Sequence, residues 1–279
     1  MNRTIPLCLV AALAAFLLIV PGLSTAKMEP EEVIQQHLSA VGPLKEETAR
    51  VGGQVDLQIL SGGRASMRGP FQILSRPDKF LYEMRFNAAE YVGDRFVGGS
   101  DGVEVDFSKP GERLPLAEFM HVYPAVLREG LWGGVLNASY PFYKSEYGAK
   151  LKYAGLKKEE GRKLHRIDYR PDKPYGGLRY QLYFEPDTMR HVLTVYELTQ
   201  AAPLGEDEFS SARQRNTRHR LEEHFADFKD ESGRMLPHLW TVRYYYESTN
   251  LTLAWEWKHQ LNLFQTGLEL DDSLFKVEK

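Results

Sequence analysis

The chain has 279 residues, with 35 basic against 38 acidic side chains for a net charge of −3, so it lacks the cationic excess that nucleic acid binding requires. Its one cysteine, Cys8, excludes a disulfide framework, and the fold must rest on its core. Aromatics at 12% suit either a thick core or a greasy cavity, and composition alone does not separate the two.

Residues 1–26 carry Arg3, an apolar run from Ile5 to Val20, Pro21-Gly22, and Ser24-Thr25-Ala26 ahead of Lys27. A basic start, a short apolar stretch and small residues at the last and third-last positions form the pattern of a cleaved secretory signal peptide. The run is too short and wrongly flanked for a retained span. Cys8 lies inside that run, not after the cleavage point, so it is not the acylated cysteine of a lipoprotein. The expected mature chain, 27–279, has 34 basic and 38 acidic residues, net −4. It is expected in the periplasm, as a single domain.

From Glu29 to Gly42 the run EPEEVIQQHLSAVG predicts a helix, with Pro30 and acidic residues in the first turn, Gly42 as its stop, and a stripe of Ile34, Leu38 and Val41 with His37 beside it. Val55, Leu57 and Ile59 then alternate with polar residues, and Phe71 to Leu74 predicts the next strand. In RPDKFLYEMRF, Pro77-Asp78 makes a turn and Phe80, Tyr82, Met84 and Phe86 fall on one side, which needs a cover. Strands Tyr91–Val97 and Val103–Phe107 flank Gly98-Gly99-Ser100-Asp101-Gly102. That pentapeptide matches the G-x-S-x-G nucleophile elbow in letters, but an elbow needs a helix after it and here a strand follows, so a hairpin turn is the better reading.

Between Leu114 and Gly130 the period turns helical, with Leu116, Phe119, Met120 and Tyr123 on one face and a restart at Pro124. The glycine-rich, aromatic connection LWGGVLNASYPFY leads back to strands near 151–156 and 163–169. The stretch LRYQLYFEPDTMRHVLTVYEL, 178–198, predicts a hairpin turning at Glu185-Pro186-Asp187-Thr188, with Tyr180, Leu182 and Phe184 on one face. Residues 200–216 read as a long polar loop. Strands follow at 221–228, 239–246 and 251–264, and in the last Leu251, Leu253, Trp255 and Trp257 alternate with Thr252, Ala254, Glu256 and Lys258. Some eleven or twelve strands are too many for one flat sheet.

The chemistry-bearing residues do not converge. His219 and His224 are separated by an odd number along a strand and so point to opposite faces, and the acidic run Glu206-Asp207-Glu208 reads as a solvated loop. No phosphate loop, zinc motif or triad is present, which predicts a non-enzyme without cofactor or metal.

The helix EEVIQQHLSAVG, the motif RPDKFLYE, the turn Ser100-Asp101-Gly102, the helical insertion and Asp271-Asp272-Ser273-Leu274-Phe275, in this order, resemble the bacterial outer-membrane lipoprotein-sorting proteins. These are the LolA/LolB-like periplasmic carriers, and the resemblance covers most of the mature chain. It implies a mainly β fold with a few helices: a strongly curved antiparallel sheet, an unclosed barrel, with helices covering the concave face and enclosing an apolar cavity for acyl chains. Two positions depart from the pattern: Leu81 stands where the carriers have an arginine linked to opening and closing of the lid, and Asp78 replaces a common glycine. The function expected is a non-catalytic carrier or binding protein for a lipid or lipoprotein acyl group. Ile34, Leu38, Phe80, Tyr82, Met84, Phe86, Phe119, Met120, Leu182, Phe184, Trp255 and Trp257 would line its cavity. An inner- or outer-membrane partner protein would deliver or receive the client. The alternative is a cell-envelope interaction module in which the same residues simply pack together.

Overall fold

Period-two alternation of large apolar and polar side chains builds strands that can bury one face only against something else, and the chain supplies that cover itself. The computed structural model describes residues 28–44, 48–61, 66–89, 91–99, 102–107, 114–144, 148–201, 216–248 and 251–276. The leader 1–26 with Cys8, and the run Glu206 to Glu208, lie outside the described residues.

Helix α1 spans Pro30–Val41, with Pro30 at the first turn, Glu31 and Glu32 at its positive end, and Gly42 at φ +88° ending it. Strands β1 (Ala49–Ile59), β2 (Ser66–Ser75), β3 (Lys79–Met84), β4 (Asp94–Gly99) and β5 (Gly102–Phe107) follow. The short helices α2 (Pro115–Val122) and α3 (Ala125–Arg128) then lead through 3-10 turns at Gly134–Leu136 and Pro141–Tyr143. Strands β6 (Lys150–Glu159), β7 (Arg162–Arg170), β8 (Arg179–Phe184), β9 (His191–Gln200), β10 (Thr217–Glu231), β11 (Arg234–Glu247) and β12 (Thr252–Thr266) complete the fold, with a last 3-10 turn at Asp272–Phe275.

All twelve strands form one antiparallel sheet, ordered β5-β4-β3-β2-β1-β12-β11-β10-β9-β8-β7-β6, not closed into a barrel. Five strands meander out to one edge, the chain crosses to the opposite edge, and seven strands meander back until β12 pairs with β1. The crossing between β5 and β6 therefore has to traverse the whole width of the sheet. It does so over the concave face, and that topology is why residues 114–144 cover the apolar side.

Several expectations are refined. Gly99 pairs with Gly102 across antiparallel β4 and β5, so a strand and not a helix follows the glycines, while Ser100 and Asp101 lie outside the described residues. The buried stripe of α1 is Val33, Ile34, His37 and Val41; Leu38 is half-buried, and His37 lies in the stripe rather than beside it. Leu251 precedes β12 and is exposed, whereas Trp255 and Trp257 are buried and Lys258 is exposed, so the register of that strand holds from Leu253 onward. The 184–191 hairpin turns through Met189 at φ +52°, with the Glu185 amide donating to the Arg190 carbonyl at 2.9 Å.

Candidate functional site: the covered concave face

The side chains of β3 alternate as the sequence requires, sending Phe80, Tyr82 and Met84 inward, each at most 1% exposed, with Phe86 buried just beyond the strand end. Ile34, Phe119, Met120, Leu182, Phe184, Trp255 and Trp257 join the same continuous core, and Leu38 packs against it from partial burial. All twelve candidates thus meet on one side of the sheet, and they meet as a packed layer.

Three neighbourhoods make up that layer. At the centre, Tyr82 stacks on Phe96 at 5.4 Å and meets Trp132 and Trp240 edge-on at 6.0 and 5.7 Å. Near α1, Phe184 stacks on His191 at 5.1 Å and meets His37 at the same distance, with Tyr140 close by. At the rim, Phe119 of α2 lies 5.3 Å from Tyr244, which stacks on Trp255 at 5.9 Å, and His219 completes the group.

Polar side chains are set into this aromatic layer, and they tie the crossing segment to the sheet. Glu223 of β10 is fully buried and accepts from the Gly133 amide at 2.7 Å, the Tyr196 hydroxyl at 2.6 Å and Trp240 Nε1 at 3.1 Å. Burial raises its carboxyl to about 8, against hydrogen bonds that pull the other way. Ser75 Oγ accepts from the Ala138 amide at 2.9 Å, and Arg234 donates to the Val135 carbonyl at 3.2 Å. The Tyr82 hydroxyl lies 2.8 Å from His259 Nε2, while His259 Nδ1 donates to the Trp240 carbonyl at 3.0 Å. His37 Nδ1 donates to the Met189 carbonyl at 3.1 Å. Burial lowers the imidazoles of His37, His191 and His259 to about 4, 3 and 3, so all three are neutral near pH 7. Asp94, accepting from Tyr91 at 2.7 Å, is raised by burial to about 7.

Some polar atoms on this face have no hydrogen-bond partner among the described residues: His37 Nε2, Trp132 Nε1, Trp257 Nε1 and the Tyr180 hydroxyl. Buried donors and acceptors left in this way each cost about 1–3 kcal/mol.

Trp132, Tyr140, His191, Glu223, Trp240 and His259 belong to this layer although none is among the residues expected to line a cavity. The signal for Glu223 was present, since alternation along β10 puts it on the face of Leu221 and Phe225, an inward charge between two apolar residues. Trp132 and Tyr140 lie in irregular chain, where no period predicts a face.

Leu81 points the other way, into a small outer cluster with Leu74, Val97 and Phe275. That position faces neither the concave layer nor the crossing segment, so the expectation that its residue governs a lid does not carry over to this fold. On the outer face Glu160, Glu222 and His224 bring their ligand atoms within 4.8 Å of one another. Arg220 and Arg243 already pair with the two carboxylates at 2.5 and 3.2 Å, and His224 lies 3.0 and 3.6 Å from their remaining oxygens, so the charges are matched internally. His219 meets Tyr244 on the inner face, so the two histidines do lie on opposite faces.

No family model matches the chain, and no curated protein matches it. Solved structures do match. A LolA superfamily protein from Nitrosomonas europaea shares 10% identity at a TM-score of 0.48, covering 90% of this chain and 99% of that one. An outer membrane lipoprotein-sorting protein domain from Vibrio parahaemolyticus shares 9% identity at a TM-score of 0.45, covering 88% and 94%. A DUF1329 family protein from Desulfovibrio piger shares 9% at 0.40, covering 89% and 98%. The chain is thus similar in structure, at low identity, to LolA superfamily and outer membrane lipoprotein-sorting proteins.

Proposed function

We propose that this protein is a non-catalytic, periplasmic binding protein or carrier for a lipid or lipoprotein acyl group, exchanging its client with a membrane partner. The acyl chain would lie between the concave face and the crossing segment 114–144. The observation that carries this reading is the cover itself. A continuous aromatic and methionine face is closed by a segment that adds no strand to the ladder and is fastened by side-chain hydrogen bonds, so the segment can lift without breaking the sheet. Phe80, Tyr82, Met84, Phe86, Leu182, Phe184, Trp255 and Trp257 on the sheet, with Ile34 and Leu38 of α1 beside them, would form the fixed wall, and Phe119 and Met120 of the crossing segment the movable one. The unpartnered ring nitrogens and hydroxyl on this face suit a ligand with a polar head or ester beside its chain.

One observation favours a second reading, a cell-envelope interaction module. The concave residues pack against one another in one continuous core, and of the twelve only Met84 and Phe86 border a larger cavity of the described residues, at the β3–β4 end, while the cavities beside β7–β8 and beside β1–β2 contain none of them. Two measurements separate the readings. Organic extracts of protein purified gently from the periplasm should contain lipid by mass spectrometry; clean extracts would sink the carrier reading. Met84→Glu should fold yet lose uptake of a fluorescent fatty acid, because the carboxylate reaches solvent once the cover lifts. Outright unfolding at ordinary temperature would mean a permanently closed core, where an unpaired buried charge costs several kcal/mol.

A further inference from the structure

Charge is unevenly spread along this chain. Residues 150–179 hold ten basic and four acidic side chains, although the whole chain is net −3. This excess forms the β6–β7 edge of the sheet and the loop entering β8, where Lys150, Lys152, Lys157, Lys158, Arg162 and Lys163 are exposed.

Lysines on an edge strand have an ordinary explanation, since they discourage edge-to-edge pairing. A second feature is not explained that way. On the outer face, between β7, β8 and the loop 171–177, lies a cavity of about 540 Å³ whose charged walls are Lys150, Arg166, Arg170 and Arg179 against Asp168 and Asp172. Arg166 is committed to Asp168 at 2.9 Å and Arg179 to Glu197 at 2.7 Å. Lys150 and Arg170 sit directly opposite each other across the β6–β7 ladder, both exposed, and among the described residues neither forms an ion pair. Two like charges held side by side without a counter-ion, at the mouth of a cavity, call for an anion between them.

The size and lining narrow the class. A fork of guanidinium nitrogens beside a lysine ammonium is the donor set that suits phosphate oxygens. The volume exceeds that of a bare ion, and Pro171, Pro174 and Leu178 give one wall an apolar character suited to the carbon atoms next to a phosphate ester. The acidic remainder of the chain repels an extended polyanion and leaves a local docking point. We propose that this cavity binds a phosphate group, presented by the headgroup of an anionic glycerophospholipid at a membrane surface. Its basic side chains Arg166, Arg170 and Arg179 alternate along β7 and β8 with the concave residues Ile167, Tyr169 and Tyr180 and so point to the outer face, and the proposal stands whether or not an acyl chain enters beneath the crossing segment.

The test is cosedimentation of the mature chain with phosphatidylglycerol or phosphatidylcholine vesicles at fixed ionic strength. The parent protein should pellet with the anionic vesicles and not with the zwitterionic ones. The double variant Lys150→Gln/Arg170→Gln should bind phosphatidylglycerol roughly thirtyfold more weakly, two basic contacts being lost. Lys258→Gln, at an exposed lysine on the distant strand β12, should bind as the parent does. Both sites of the double variant are exposed, so its thermal unfolding and its fatty-acid uptake should match the parent, which separates this proposal from the acyl-binding one. Undiminished binding by the double variant, or equal binding to both vesicle types, overturns it. So does a backbone-amide response of 171–178 to inorganic phosphate without vesicle binding, because the source is then the free ion.

Discussion

Glu223 links three parts of the molecule through one buried carboxyl: the crossing segment at Gly133, strand β9 at Tyr196 and strand β11 at Trp240. Replacing it with leucine strands an amide, an indole nitrogen and a hydroxyl in the core, and at about 1–3 kcal/mol for each lost partner the variant should lose several kcal/mol in denaturant unfolding. Glu223→Gln keeps an acceptor for Gly133 and Trp240 and should cost far less near pH 6. Similar losses for both variants would mean that shape, not hydrogen bonding, is what the site requires. Leu81 makes the contrasting case. Its neighbours Leu74, Val97 and Phe275 form an outer patch flanked by Arg76 and Lys79, whose charges already lie 5.4 and 5.9 Å from the Phe275 ring. Leu81→Arg should therefore loosen the Asp272–Phe275 turn, seen as faster amide exchange there, and leave the rate of ligand exchange unchanged. A slowed exchange rate would restore position 81 to a gating role.

The crossing segment is the element on which the proposed carrier function turns, and its seating depends on close approach. A Cβ at Gly98 would come within 2.6 Å of the Phe80 ring and 2.8 Å of the Leu127 carbonyl, so glycine there lets α3 lie down on β4. At Gly133 the backbone is at φ +79°, a conformation that favours glycine, and its amide is the one that Glu223 receives. Gly98→Ala should cost about 1–3 kcal/mol through overpacking. The loss should be local: hydrogen exchange should accelerate across 115–143 while the amides of β10, β11 and β12 keep their protection. Uniform acceleration would show that cover and sheet open as one cooperative unit, and would remove the physical basis for a liftable lid.

Across the whole molecule, the buried titratable groups set opposing limits. His37, His191 and His259 have folded values near 4, 3 and 3, below the ordinary 6.5, so the unfolded chain binds more protons and their contribution, complete above pH 6.5, is lost as pH falls. Glu223 and Asp94 behave oppositely. With folded values near 8 and 7 they hold protons that the unfolded chain releases, so their contribution is present in acid and is lost as pH rises toward 8. Stability should peak at roughly pH 6, and Glu223→Gln should flatten the decline between pH 7 and 8. Thermal unfolding across that range measures it, and an unchanged decline in the variant would assign the alkaline limb to another group.

The sequence alone determined the strands, because a side-chain period of two needs no knowledge of neighbours: Tyr180, Leu182 and Phe184, or Trp255 and Trp257, declare a buried face wherever the strand is placed. It also determined α1 and the antiparallel pairing of β4 with β5 at Gly99 and Gly102, where proline, acid and glycine act within a few residues. The tertiary structure decided what lies against that face. Strand order places β5 and β6 at opposite edges, and only then must the intervening chain cross the concave side and carry Trp132 and Tyr140 into the core. The facing of Leu81 away from that core, and the meeting of Lys150 with Arg170 across a ladder, likewise depend on pairing between strands, which no local pattern encodes.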